Sequence, residues 1–327
     1  MIRVHWVLLV AILLGCSQNE CREVSREVQP LELEVERLEE VLFSAENPGE
    51  VEDFLKQHQE MAKGFFHSDQ YPNDSILARR IFALTNDPFI DTLKREALSA
   101  FSDLDVVQKD LEGVYAFRQT LTPEKSVPKI QTVISGLYND LYITNELLVI
   151  GIDFFIGPEA TYKPLNVPYY IQRRYNPTHL PSIVAKYEAG LLTPTGKENS
   201  LLSEMIDYGK INYIVSRMLP CTPDSVIMGF TPEEMIGVYE NSEFIWRHFV
   251  EKELLYETSE FVKQKYLGER PNIYEISKSC PGRVGAWLGW QIVDAFMKET
   301  GLSLEELLKE RDHHKIFTTS SYKPFTR

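Results

Sequence analysis

The fold class of this chain is decided by the stretch Lys129-Ile-Gln-Thr-Val-Ile-Ser-Gly-Leu-Tyr-Asn-Asp-Leu-Tyr-Ile-Thr-Asn-Glu-Leu-Leu-Val-Ile-Gly-Ile-Asp-Phe-Phe-Ile156. It contains three short runs rich in β-branched and aromatic residues, at 130–134, 141–144 and 147–152. The pairs Asn139-Asp140 and Asn145-Glu146 separate these runs and favour turns. The stretch therefore predicts a small antiparallel sheet.

Helical spacing of apolar residues dominates the rest of the chain. Residues 37–59 and 75–120 show this spacing, as does most of the chain after residue 168. Residues 31–36 alternate apolar and acidic side chains, which predicts a half-buried strand. We expect residues 31–327 to form a single α+β domain, mostly helical, with the small antiparallel sheet in its first half.

Two segments carry helix start signals. Thr231-Pro-Glu-Glu234 places a capping threonine before a first-turn proline and two acids, which suit the positive end of the helix dipole. Ser303-Leu-Glu-Glu306 has the spacing of a capping box, in which the two side chains satisfy backbone N–H groups. Each segment predicts that a helix begins there.

Residues 1–15 have the layout of a bacterial secretory signal peptide. Arg3 supplies a basic start, residues 6–14 an apolar core, and Gly15 a small residue at the cleavage point. The apolar run is too short to cross a bilayer, because a spanning helix needs roughly 20 such residues. The segment therefore predicts export rather than a transmembrane anchor.

The sequence Leu13-Leu-Gly-Cys16 resembles the lipobox of bacterial lipoproteins. We expect Cys16 to be acylated, for example with palmitate, and to become the mature N-terminus that binds a membrane. The alternative is an ordinary signal peptide followed by a chance cysteine. Polar residues 16–30 predict a tether between lipid and body, which places the protein in the cell envelope on the inner or the outer membrane.

The net charge of −14 excludes nucleic acid as a partner, because binding a polyanion needs a basic face. Arg173-Arg174 is a compact basic pair, which we interpret as a local salt-bridging group.

The cysteines allow one disulfide within the body. An exported protein can form disulfides, and Cys221 and Cys280 are the two cysteines that lie outside the tether. Their pairing is the plausible bridge within the domain and would leave Cys21 unpaired, but whether the bridge forms stays open. None of these cysteines has a CxxC partner or a histidine at ligand spacing, so no cysteine zinc site is expected.

A search for catalytic motifs gives a negative result. The chain contains no His-Glu-x-x-His, Gly-x-Ser-x-Gly, phosphate-binding loop or Gly-x-Gly-x-x-Gly. His5 lies in the signal peptide and four further histidines are isolated, while His313-His314 lie in a polar tail where adjacent residues do not share a helix face. We expect all of them to be structural or solvated, and we predict no catalytic residue, bound metal or other cofactor.

Asp207-Tyr-Gly-Lys210 allows two interpretations. The segment lies within a helical pattern over residues 201–219, and a buried lysine there could act as a base. The simpler interpretation, which we prefer, is a helix whose Gly209 permits close packing while Asp207 and Lys210 pair one turn apart.

Residues 281–290 pose a similar choice. Gly285 and Gly289 are four residues apart and would form a flat groove beside Trp287 and Trp290. On a soluble helix such spacing indicates close helix packing more often than a ligand platform. We therefore expect both tryptophans to lie in the core.

Several segments resemble the gliding-motility lipoprotein family GldB. They are Arg37-Leu-Glu-Glu-Val-Leu-Phe43, Ile152-Asp-Phe-Phe-Ile-Gly-Pro158, Tyr170-Ile-Gln-Arg-Arg-Tyr-Asn-Pro177, Ile206-Asp-Tyr-Gly-Lys210, Ile245-Trp246 and Cys280-Pro-Gly-Arg-Val-Gly-Ala-Trp-Leu-Gly-Trp-Gln-Ile-Val293. The last is the most specific. The resemblance implies a membrane-anchored component of the gliding machinery with envelope proteins as partners.

The order of the parts also resembles zincin-type peptidases. The helix that should carry the metal motif spans His179 to Leu192 and offers one histidine and one carboxylate, Glu188. The next helix has Tyr208-Gly209 where a zincin would have Glu-Gly. Three zinc ligands cannot be assembled from these residues, so the resemblance implies a zincin-like arrangement without the zinc motif.

Three functions compete. The leading hypothesis is a non-enzymatic gliding component that acts through protein contacts. The second is a divergent zinc-dependent peptidase or hydrolase that uses Glu188, Glu204 and Asp207. The third is a lipoprotein that binds a peptide or glycan in a groove around Trp287 and Trp290.

Replacement of the lipobox cysteine tests the anchor. We expect Cys16→Ser to abolish palmitate incorporation and to release the folded body from membranes, because no acyl chain can then be attached. Membrane fractionation after metabolic labelling measures both effects. Labelling that is unchanged in the variant would contradict the prediction.

Overall fold

The computed structural model describes residues 21–23 and 27–324. The signal peptide and the predicted lipidation site Cys16 lie outside the described residues. Within the described part, no helix is both long enough and apolar enough to cross a membrane.

A four-stranded mixed sheet lies in the first half of the chain. It consists of β1 (Val35–Arg37), β2 (Lys129–Val133), β3 (Leu141–Ile143) and β4 (Leu147–Gly151) in the order β1-β2-β4-β3. The pairs β1–β2 and β2–β4 are parallel, and only β3–β4 is antiparallel. The predicted strands of the central stretch are confirmed, but the prediction of an antiparallel sheet is wrong.

The loop between β2 and β3 explains the parallel pairing. The buried carboxylate of Asp153 accepts hydrogen bonds from the backbone N–H groups of Ser135 (3.1 Å) and Leu137 (2.6 Å). Gly136 and Leu137 have positive φ, so the chain turns away from β2 here without forming a hairpin. The hairpin β3–β4 then folds back so that β4 pairs with β2. Burial raises the pKa of Asp153 to about 6.

Six helices cover the sheet. They are α1 (Glu39–Phe43), α2 (Pro48–Gln57), α3 (Gln59–Gly64), α4 (Asp74–Thr85), α5 (Ile90–Ala100) and α6 (Asp105–Leu121). Leu147 and Val149 of β4 pack into one hydrophobic cluster, and Leu148 and Ile150 pack into another. Since β4 is buried on both faces, its sequence is an uninterrupted apolar run.

The second half of the chain is helical. It comprises α7 (Tyr169–Gln172), α8 (Leu180–Leu192), α9 (Leu201–Met218), α10 (Asp224–Met228), α11 (Pro232–Glu240), α12 (Ser242–Glu251), α13 (Glu260–Leu267), α14 (Val284–Thr300), α15 (Leu304–Lys309) and α16 (His313–Ser320). Both predicted helix starts are confirmed, because Thr231 with Glu234 and Ser303 with Glu306 form complete capping boxes.

Helices α9 and α14 touch through their backbones. A Cβ atom added at Gly289 would lie 1.7 Å from the carbonyl oxygen of Met205, and one added at Gly209 would lie 2.3 Å from the carbonyl oxygen of Gly289. Trp287 and Trp290 are buried. The predictions that the glycines permit close packing and that both tryptophans lie in the core are confirmed.

A disulfide joins Cys21 to Cys221, so the bridge between Cys221 and Cys280, which the sequence left open, does not form. Cys280 is a free, buried thiol whose pKa is raised to about 12 by burial. Arg22 explains the observed pairing, because its backbone N–H donates to the carbonyl oxygen of Pro220 at 2.9 Å. Residues 21–23 of the predicted tether therefore lie against the body.

The crossing of α9 and α14 gives a stability prediction. Gly289→Leu should lower the free energy of unfolding by at least about 1 to 3 kcal/mol, because the new side chain would collide with backbone that cannot move aside. Chemical denaturation measures the loss. Gly237→Leu on α11 is the matched control, since a Cβ there has no neighbour within 4 Å. A wild-type unfolding midpoint for Gly289→Leu would refute the close packing.

Candidate functional site

Four cations and two carboxylates meet beside the N-terminal end of α14. The end of α7 supplies Arg173 and Arg174, α8 supplies Lys186, and Arg283 immediately precedes α14. The carboxylates are those of Glu234 on α11 and Glu269 after α13. We call these six residues the arginine cluster.

The arginines bind their carboxylates with close geometry. Arg173 donates to both oxygens of Glu234 at 2.8 and 2.6 Å, and Arg174 to both oxygens of Glu269 at 2.8 and 2.7 Å. Arg283 Nε lies 3.2 Å from the same Glu269. The interpretation of Arg173-Arg174 as a salt-bridging group is confirmed. Such bidentate pairs fix the positions of both partners.

Arg283 is held in a strained backbone conformation. Its φ is +62°, in the left-handed region that costs a non-glycine residue roughly 1–2 kcal/mol. Its guanidinium donates to the carbonyl oxygen of Met228, and Arg174 Nε donates to that of Gly229 at 3.2 Å. Together with Glu269, these bonds keep Arg283 inside the cluster.

Lys186 is the cation without a partner. Among the described residues, none forms a hydrogen bond or an ion pair with its ammonium group. Burial, followed by the charges of Arg283 and Arg174, holds the pKa of Lys186 well below its ordinary value. The same surroundings lower the pKa of His179 to about 4, again chiefly through burial. The cluster therefore contains more cations than carboxylates, which favours an interaction with another anionic group, such as a carboxylate or a phosphate.

Sequence reasoning identified only part of this cluster. Arg173 and Arg174 were noticed as a basic pair, whereas Lys186, Arg283 and Glu269 were not singled out. Arg283 lies within the most specific segment of the family resemblance, which was the available signal. No local pattern marks Glu269, because its partner Arg174 is 95 residues away and its partner Arg283 is 14 residues away.

A serine, a histidine and an aspartate are linked in a second polar group. Ser203 Oγ lies 2.6 Å from His313 Nδ1, and His313 Nε2 lies 3.1 Å from Asp207 Oδ1. Ser203 and His313 are buried. The loop at residues 193–200 covers them, since a Cβ added at Gly196 would lie 2.2 Å from His313 Cε1. The order of atoms resembles a Ser-His-Asp triad, but the hydroxyl is not accessible.

This network corrects two predictions from sequence. Asp207 does not form an ion pair with Lys210, because Asp207 contacts His313 and Lys210 donates to the carbonyl oxygen of Glu310 at 2.5 Å. His313 does not lie in a solvated tail, because α16 packs its ring against α9.

The predicted zinc-ligand candidates each have a different partner. Glu188 is buried and lies 3.4 Å from Arg118, while Glu204 pairs with Lys263. His179 Nδ1 lies 3.0 Å from Asn176 Oδ1. Over the described ranges, no group of three His, Cys, Asp or Glu side chains could hold a metal ion. The zincin-like arrangement stays a prediction.

A cavity of about 1190 Å³ lies beside Trp287. Tyr239 packs edge-on against this tryptophan with ring centroids 5.5 Å apart. Trp287 Nε1 has no hydrogen-bond partner among the residues described. Trp290 does not line the cavity, so the predicted groove contains one of the two tryptophans. Several carboxylates, including Glu243 and Asp294, give its wall an acidic character.

The sequence pattern of a known family extends over nearly the whole chain. The pattern described as gliding motility protein GldB matches residues 18–324, a range that includes the arginine cluster and the buried Ser203 network. No curated protein and no solved structure matches the chain. The chain therefore belongs to the gliding motility protein GldB family.

Proposed function

We propose that the protein is a lipid-anchored component of the gliding-motility machinery that acts through protein contacts, with the arginine cluster as a contact site. Membership of the GldB family supports the association with gliding and with the cell envelope. One observation supports the choice of the arginine cluster as the contact site. Three segments of the family resemblance, around Arg174, Tyr208 and Arg283, are far apart in sequence but contribute polar side chains to the same place.

The chemistry of the cluster suits an acidic partner. Glu269 is shared by Arg174 and Arg283, and Lys186 has no carboxylate of its own among the described residues. An incoming carboxylate could bind Lys186 without displacing an existing ion pair. Hydrogen bonds to charged groups contribute roughly 1.5 to 3 kcal/mol each, so one such contact would noticeably increase affinity. The lipid anchor would hold this site near other envelope proteins.

A hydrolase is the second candidate, and the Ser203 network favours it. A serine nucleophile needs a neighbouring base, and His313 is within hydrogen-bonding distance of Ser203. The buried hydroxyl argues against it, because a substrate would first have to displace residues 193–200. Binding of a peptide or glycan is supported only by the unpaired Trp287 Nε1 beside the cavity.

Replacement of the unpaired lysine tests the contact site. We expect Lys186→Met to fold normally but to lose gliding in complemented cells and to lose partners in cross-linked pull-downs. Lys252→Met, an exposed lysine at the end of α12, should leave both unchanged. Gliding and partner recovery at wild-type levels in the Lys186 variant would exclude the cluster as the contact site.

The pH dependence of the unfolding free energy of Lys186→Met shows whether this variant folds correctly. In the wild type, Lys186 binds its proton more weakly in the folded chain than in the unfolded chain. The free energy of unfolding therefore rises with pH between the lowered pKa of the folded chain and the ordinary pKa of 10.5. Lys186→Met removes this dependence. Its unfolding free energy at neutral pH should therefore equal that of wild type or exceed it by up to about 4 kcal/mol.

Elemental analysis and an active-site probe test the enzymatic alternatives. We expect no stoichiometric zinc and no labelling of Ser203 by a fluorophosphonate, because the candidate ligands lie apart and the hydroxyl is buried. Alanine variants of His179, Glu188, Asp207 and Ser203 form the informative set. About one zinc per chain that any of the first three variants loses would establish a metal site. Labelling that disappears in Ser203→Ala would establish a serine hydrolase.

A further inference from the structure

We propose that the disulfide between Cys21 and Cys221 fixes which end of the body lies on the lipid surface. We define this tether end as residues 217–224 together with Ile236 and Tyr239. The inference rests on the proposed lipid anchor at Cys16. It adds an orientation that the anchor alone does not supply, because a long free tether would allow the body to rotate.

The reach of the chain sets the first limit. Cys16 and Cys21 are five residues apart, and an extended chain spans at most about 3.6 Å per residue. The lipidated residue can therefore lie no farther than about 18 Å from the disulfide. A compact body of this size has a radius of gyration of about 19 Å, so its far side is beyond the reach of the anchor.

Hydrogen bonds strengthen the attachment around the disulfide. Arg22 donates from its guanidinium to the carbonyl oxygen of Thr222 at 2.8 Å and forms an ion pair with Asp224. Arg217 donates to the carbonyl oxygen of Glu23 at 3.1 Å. The chain therefore leaves the body at a defined place, rather than swivelling about one covalent bond.

The direction of the core helices shows which of their ends lies farther from the lipid. Gly209 of α9 meets Gly289 of α14, and farther along the same helices Arg217 lies 3.8 Å from Asp294. The two helices thus run in the same sense toward the tether end. Tyr208 lies eleven residues before Leu219, which corresponds to about 16 Å along the helix axis. The opposite ends of both helices consequently lie farther from the lipid surface.

The tether end is suited to a zwitterionic lipid surface. Its charges are paired, since Arg22 contacts Asp224 and Arg217 contacts Asp294, while Tyr239 donates to Asp224 at 2.5 Å. Ile236 is 58% exposed and lies one turn before Tyr239 on α11. An apolar side chain beside a half-exposed tyrosine matches the headgroup region, where amphipathic side chains are stabilised.

Energy transfer from a tryptophan to the lipid surface tests the orientation. The full lipidated protein is bound to phosphatidylcholine vesicles that carry a dansyl-labelled headgroup lipid as acceptor. Ile236→Trp places a donor at the tether end. Phe261→Trp on α13 is the matched control, because Phe261 is 76% exposed and α13 packs at the opposite ends of α9 and α14 through Lys263 and Tyr266. The signal of the native tryptophans is subtracted.

We expect the added tryptophan at position 236 to lose much of its emission to the acceptor, while the one at position 261 keeps its emission. Reduction of the disulfide should diminish this difference. Equal transfer at both positions, or greater transfer at position 261, would overturn the orientation while leaving the anchor intact. Failure of the lipidated protein to bind vesicles would overturn the anchor itself, and with it this inference.

Discussion

The contact between Gly209 and Gly289 is the constraint on which the rest of the helical half depends. At this point two helix backbones touch, and neither residue has room for a side chain. Because α14 is fixed there, its preceding residue Arg283 is held beside Arg174 and Glu269. Because α9 is fixed there, Asp207 points toward the ring of His313. A shift of one helix along the other would separate all of these groups.

The arginine cluster concentrates positive charge in a chain whose net charge is negative. The chain is strongly acidic, yet it gathers Arg174, Lys186 and Arg283 around a single shared carboxylate. Burial of unlike numbers of cations and anions is costly, and the lowered pKa values of Lys186 and Arg283 reflect that cost. Because such an arrangement at the start of a largely buried helix is a weak source of stability, we interpret the cluster as functional.

Local features could be predicted from the sequence, and distant pairings could not. The strand 129–133 and the capping boxes at Thr231 and Ser303 depend on neighbouring residues, so their patterns are visible in a single chain. The glycine spacing on α14 likewise indicated close packing. The parallel pairing of β2 with β4 depends on the hydrogen bonds by which Asp153 holds the loop after β2. The spacing of apolar residues in the sequence gives no sign of these bonds. The choice of Cys21 as the partner of Cys221 spans 200 residues.

The Cys21–Cys221 bond also has a mechanical consequence. If the lipid anchor is pulled while the arginine cluster is held by a partner, the force enters the body at Cys221, immediately after the last turn of α9. It does not have to travel along the chain from Cys21 through the sheet, because the disulfide bypasses that route. The sheet and helices α1 to α6 thus bear no tension along the chain, and the load runs from the membrane into the central pair of packed helices and the cluster beside them.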